Sequence, residues 1–240
     1  MGTQTVLVVG ATGNIGVAAV KGALQAGRNV LAIVRNQDSA DKLIENVGIT
    51  EGITFVEADV TSDSGVKEVV TKVRRGELPA FQHVYSSVGG EYVAEPLESI
   101  TTDRLRYNFN VTFEANFFAY RDTIEYLREQ DDSSFTICTG SQGDLATHPL
   151  AAMTQGALYS MCLGAARENL DKPTRFNEVY LGFRVELDVD AARHSVIRHS
   201  ELACGSVEAG KYKGLEAYKE ILGKTLPDSS VMRHVIVVTR

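Results

Sequence analysis

A short apolar run, Thr5-Val-Leu-Val-Val9, leads directly into Gly10-Ala-Thr-Gly13-Asn-Ile-Gly16, and this junction constrains the chain more than any other segment. A strand that ends in glycines at three-residue spacing and then opens a helix builds an anion site. Glycine permits the tight turn and lets a pyrophosphate approach the backbone. The N–H groups at the helix start, on the positive end of the helix dipole, hold its oxygens. The pattern predicts dinucleotide binding by Gly10, Thr12, Gly13, Asn14, Ile15 and Gly16. A plain strand-turn-helix connection is the alternative.

Strand and helix alternate from there to the end of the chain. Strands are predicted at 29–34, 53–56, 83–85, 134–138, 176–181 and 234–239, with long helices at 102–129 and 151–170. Such alternation requires right-handed crossovers, and so an α/β Rossmann-like, doubly wound, mostly parallel seven-stranded sheet with helices on both faces. With 240 residues, 44% of them hydrophobic, and no linker or repeat, the expectation is a single domain over 1–240. A net charge of −7 speaks against nucleic acid or anionic membrane as the main partner. Cys138, Cys162 and Cys204 lack metal-ligand spacing, so no metal is expected, and free thiols in a reducing compartment are. With no membrane span or signal-peptide run in the sequence, the expected location is the cytoplasm.

Strand two ends in Arg35-Asn36, with the first acid at Asp38. An acid at this place accepts from the ribose of NAD, whereas a guanidinium pairs with the 2′-phosphate of NADP. Arg35 therefore favours NADP(H), a solvated loop arginine being the alternative. After strand three, Asp59-Val60 offers a carboxylate to the adenine amino group, or else a turn or cap.

With these residues in place, the chain resembles the short-chain dehydrogenase/reductase superfamily over nearly its whole length. The glycine spacing is that of its extended and atypical branches, and Asp59-Val60 matches its adenine-site pair. Ser86-Ser87-Val-Gly89 stands where the family has Asn-Asn-Ala-Gly, which implies cofactor contacts from Ser86, Ser87 and Gly89. Thr136-Ile-Cys-Thr-Gly-Ser141 matches the strand that delivers the catalytic serine, and Arg175-Phe-Asn177 through Leu181-Gly182 matches the family's Arg-Val-Asn to Pro-Gly stretch.

The family's engine is Asn, Ser, Tyr and Lys, the lysine lowering the tyrosine pKa, and here only Ser141 remains. Counting back from Asn177 with the family's spacing puts the tyrosine position at Ala151 and the lysine position at Gln155. Gln155-Gly-Ala-Leu158 then falls on the family's Lys-Ala-Ala-Leu. Tyr159 lies two turns further on, about 12 Å along the axis. The asparagine position falls at Thr112, with Asn108, Asn110 and Asn116 nearby, and the interval from Ser141 to Ala151 is short for the family.

Three readings are open. In the first, the protein is an NADP(H)-dependent oxidoreductase acting on C=O, C=N or activated C=C of a small or polycyclic substrate, with another proton donor. His148 is the first choice, since imidazole titrates near working pH, although His148-Pro149 also suits a helix start. Asp144, Tyr92, Tyr159 and Arg184 are further candidates, and Gln155 is placed to bind a ribose hydroxyl. The catalytic expectation is thus Ser141, His148 and Gln155. In the second, the scaffold runs non-redox chemistry such as cyclisation, isomerisation or dehydration in specialised-metabolite biosynthesis. In the third, it is a non-catalytic NAD(P)-binding regulator. A variable substrate loop is expected at 187–226, where His194 and His199 are spaced wrongly for a helical metal pair. The aromatics Tyr107, Phe109, Phe113, Phe117, Phe118, Tyr120 and Tyr126 suggest a homo-oligomer, dimer or tetramer, with core packing as the alternative.

Overall fold

Alternating burial along the first strand sets up both faces of the sheet. In β1 (Thr5–Val9), Val6 and Val8 pack with Val17 and Val20 of α1 (Asn14–Gln25), while Leu7 and Val9 face the opposite layer. The computed structural model describes residues 3–182 and the backbone of 185–186, 197–198 and 235–238. Six parallel strands, β3 (Ile53–Glu57), β2 (Asn29–Val34), β1, β4 (His83–Ser86), β5 (Ser134–Gly140) and β6 (Arg175–Leu181), pair in that order. β7 (Val185–Glu186) and β8 (Ile197–Arg198) form a separate two-stranded ladder, and β9 (Val235–Val238) completes the main sheet beside β6 as its seventh strand.

Helices α1 and α2 (Gln37–Val47) cover one face. Helices α3 (Gly65–Arg74), α5 (Ala115–Arg128) and α7 (Pro149–Glu168) cover the other, over a core of Phe81, Phe135, Ile137, Leu127 and Leu158. Chain order reverses between β1 and β4, and the crevice at their C-terminal ends is where such sheets take ligands.

Two expected helices differ in detail. The helix predicted over 102–129 is α4 (Thr102–Asn108), a π-helical turn (Phe109–Glu114) and then α5. An insertion of this kind marks sites where a helix carries side chains a regular turn would misplace. The helix predicted from 151 begins at Pro149, with His148 at the N-cap and Pro at the first position, where its missing N–H costs nothing. Before it, α6 (Gln142–Leu145) ends at Ala146, whose φ of 51° turns the chain sharply and gives this short connection a shape of its own. Of the aromatics, Tyr120 and Tyr126 are core residues, whereas Tyr107 and Phe117 are exposed. Arg184, His194, His199, Cys204 and almost all of the 187–226 loop lie outside the described residues, whereas Cys138 and Cys162 are buried free thiols.

Candidate active site

The glycine loop is held by its own backbone. Gly10 sits at φ +84°, and a β-carbon on it would lie 3.1 Å from the Ser87 carbonyl, so the loops after β1 and β4 touch. A β-carbon on Gly16 would lie 2.0 Å from the Gly10 carbonyl oxygen, which makes glycine obligatory there. Gly13 is different: among the described residues the nearest neighbour of such a β-carbon is 3.5 Å away, so none of their contacts requires glycine. Gly13 is also the N-cap of α1, without a side-chain cap bond and with no acid in the first turn. An uncapped twelve-residue helix opening at a bare glycine fits an anionic group. Thr12 and Asn14 flank it half-buried, and Ile15 packs against Cys138, Val179 and Leu181.

One end of the crevice is made by β2 and β3. Arg35 is exposed just beyond β2. The Asp59 carboxylate accepts from the Thr61 hydroxyl at 2.6 Å and its N–H at 2.9 Å. These bonds, with the nearby Arg35 charge, hold Asp59 below the usual carboxylate range. Asp59 therefore shapes a turn while remaining an exposed acceptor. Asn36 is the N-cap of α2, accepting from the Ser39 N–H at 3.0 Å, and Val60 packs on the core.

After β4 the two serines part company. Ser86 is fully buried and donates to Asn116 Oδ1 at 2.6 Å. Asn116 in turn donates to the carbonyls of Val88 at 2.7 Å and Thr112 at 2.6 Å, so it clamps the end of β4 to the π turn. Ser86 thus serves the clamp through its side chain. The Ser87 hydroxyl is buried with no hydrogen bond among the described residues, and Gly89 is exposed next to it.

On the other side of the crevice, side chains converge on Gly140, one residue before Ser141. Gln155 Oε1 accepts from the Gly140 N–H at 2.8 Å, and the Tyr159 hydroxyl donates to its carbonyl at 2.6 Å. The Tyr159 ring fills the space over Gly143, and burial pushes its phenol well above the ordinary range. Tyr180 donates to Asp144, and the Thr139 hydroxyl donates to the buried Glu178 carboxylate at 2.6 Å. Ser141 is buried, with its N–H donating to Leu181 at 2.9 Å, while Ala151 is buried without a polar group. His148 lies half-buried on the rim, its Nδ1 paired with Thr147 Oγ1 at 2.9 Å and its ring edge-on to Tyr92, centroids 6.1 Å apart. The structure thus brings Ser141, Gln155 and His148 to one end of β5 and α7. Sequence reasoning missed the Glu178–Thr139 and Tyr180–Asp144 pairs, although a glutamate at a core-facing strand position was a signal. No metal-binding cluster occurs among the described residues, and none of their helices is long and apolar enough to cross a membrane.

The family model described as short chain dehydrogenase matches residues 4–184. The chain is 48% identical over 225 residues to the short-chain dehydrogenase/reductase iacG of Pestalotiopsis fici, covering 93% of this chain and 90% of that one. It is 25% identical over 185 residues to an NADP-dependent (R)-specific alcohol dehydrogenase of Lentilactobacillus kefiri, covering 75% and 73% of the two chains. Among solved structures, ElxO with NADP bound superposes with a TM-score of 0.76 at 16% identity, covering 99% of this chain and 97% of that one. A short-chain oxidoreductase from Burkholderia thailandensis gives 0.74 at 18% identity, covering 99% and 90%. These two share the fold.

Proposed function

Because the chain belongs to the short-chain dehydrogenase/reductase family and is an oxidoreductase of that type, we propose that it uses NADP(H) to reduce a C=O, C=N or activated C=C group of a small or polycyclic organic substrate. The observation that carries this reading is the uncapped start of α1 behind Gly13, with the exposed Arg35 cation at the end of β2. In this reading Gly10, Thr12, Gly13, Asn14, Ile15 and Gly16 hold the pyrophosphate. Arg35 and Asn36 receive the 2′-phosphate, Asp59 and Val60 border the adenine, and Ser87 and Gly89 face the ribose side. Ser86 contributes through its backbone. The reduced nicotinamide, when bound, supplies a hydride. Ser141 holds the substrate oxygen, Gln155 fixes the strand end that carries it, and His148 stands on the rim as a route for protons from solvent. The exposed Tyr107 and Phe117 fit pairing of this chain with a second copy, and the cytosol is the expected compartment.

Calorimetric titration with NADPH, NADP⁺, NADH and NAD⁺ tests this. The phosphorylated pair is expected to bind more tightly. Arg35→Ala should erase most of that preference, about 10- to 100-fold for a charge-assisted phosphate contact. No binding of any of the four by folded protein would overturn the cofactor assignment. Conversion of a substrate with no change in nicotinamide absorbance would move the reading to non-redox chemistry, which the apolar Ala151 and neutral Gln155 favour.

A further inference from the structure

Ala151 and Gln155 leave the two positions at which the family carries its tyrosine and lysine without a phenol or an amine. Besides Tyr159 of α7, a second phenol reaches the end of β5, from another part of the chain. A β-carbon built on Gly140 would lie 3.8 Å from the Tyr92 hydroxyl oxygen, 3.9 Å from the Leu181 carbonyl oxygen and 4.0 Å from Gln155 Cδ. From this geometry, and resting on the cofactor reading above, we propose that Tyr92 is the proton donor to the substrate oxygen, delivered from the β4–α4 connection in place of a tyrosine on α7.

The connection is built to hold Tyr92 there. The α-carbon of Gly90, two residues before it, is packed so closely that a β-carbon would lie 2.7 Å from Asn108 Oδ1 and 2.8 Å from Thr112 Oγ1. The Glu91 N–H donates to the same Asn108 oxygen at 3.2 Å. Beyond Tyr92, Arg104 of α4 donates to Glu91 at 3.0 Å and to Glu95 at 2.5 Å, spanning the tyrosine with a two-point brace. The His148 ring adds an edge-on contact from the rim of α7.

Two neighbouring phenols serve the packing of this strand end. Tyr159 is bonded to the Gly140 carbonyl and lies under Gly143, and Tyr180 is buried and bonded to Asp144. Tyr92 is 54% exposed, so it combines reach toward Gly140 with access for a substrate.

In the step, a reduced nicotinamide dinucleotide provides the hydride and is oxidised while the substrate carbonyl carbon is reduced. The electron pair of the C=O π bond moves to oxygen and takes the proton of the Tyr92 O–H bond, which breaks. The resulting tyrosinate regains a proton from solvent water, with His148 standing beside that path.

The experiment uses the full chain with tyrosine labelled at Cζ for NMR, alongside calorimetry with NADPH and turnover of phenanthrenequinone as a carbonyl probe. The Cζ resonance that disappears in Tyr92→Phe is expected to shift when NADPH is added to the wild type. Tyr92→Phe should bind NADPH as the wild type does while kcat falls about 100-fold or more, the usual contribution of a general acid. A Tyr92 resonance that ignores bound NADPH would overturn the proposal, as would unchanged kcat in Tyr92→Phe or a larger loss in His148→Ala than in Tyr92→Phe. If the probe is not turned over, the NMR response decides alone. Absence of NADPH binding by calorimetry would instead overturn the cofactor reading on which the proposal stands.

Discussion

The two ends of the crevice are made of different material. At the end proposed for the dinucleotide the candidate recognition elements are backbone: the loop Gly10–Gly16, the open start of α1, and the contact between Gly10 and Ser87. At the proposed reaction end they are side chains, and Gln155, Tyr159, Tyr180 and Asp144 knit the end of β5 and β6 to α6 and α7. Backbone recognition tolerates any side chain outside a few glycines, so its sequence pattern survives divergence. Side-chain chemistry can be reassigned to another segment whenever that segment reaches the same point, and the sequence pattern then disappears while the site persists.

The largest expected effect separates two glycines of one loop. Gly16→Ala forces a β-carbon into a backbone oxygen that no rotamer change can move. It should cost about 3 kcal/mol in denaturant unfolding despite alanine's better helix propensity, and abolish dinucleotide binding. Gly13→Ala meets only an ordinary contact at φ −76°, so its stability should change by less than about 0.5 kcal/mol. Its methyl occupies the approach of the pyrophosphate, and affinity should fall about tenfold or more. Equal losses of stability in the two variants would refute the distinction between a packing glycine and a ligand glycine.

At the opposite end of the strands lies a third region, which serves neither function. His83 at the start of β4 is buried between Ser134 Oγ, 2.9 Å from Nδ1, and Gln4 Oε1, 3.1 Å from Nε2. Burial, helped by Arg28 and Arg175, lowers its pKa from 6.5 to about 4. Between those values the unfolded chain binds a proton that the folded chain does not, so stability rises with pH. The contribution is complete above the unfolded value and is lost as pH falls toward the folded one, about 3 kcal/mol across the window. His83→Asn should flatten the pH dependence of unfolding there and leave NADPH affinity at neutral pH untouched. An unaltered slope would show that His83 is not the titrating group; a weakened affinity would mean that the strand starts and the crevice are coupled.

Local features were legible in the sequence, and features that depend on tertiary anchoring were not. The glycine loop and the strand positions rest on contiguous residues whose geometry is fixed by near neighbours. A 3.6-residue period cannot reveal the π turn at Phe109–Glu114, because the apolar pattern runs through it unbroken while the turn rotates the side chains of α5 relative to those of α4. Ser86 and Ser87 look alike in sequence, and only the position of Asn116 decides that the first is spent on a clamp. In the sequence Tyr92 is one of several flanking candidates, since the reach of a loop side chain depends on Gly90, Asn108, Thr112 and Arg104, which are separated along the chain.

The smallest effect is the most exacting test of the two-material picture. Tyr159→Phe removes one hydroxyl, the donor to the Gly140 carbonyl, and leaves the ring to fill the space over Gly143. One lost buried hydrogen bond should lower stability by about 1 kcal/mol. Because the contact lies wholly at the reaction end, calorimetric affinity for NADPH should stay at the wild-type value while the strand end beside Ser141 loosens. Should affinity fall together with stability, the backbone cradle would depend on the side-chain network across the sheet. The two ends would then have to be treated as one cooperative unit, in which a change at either could not be absorbed without rebuilding the other.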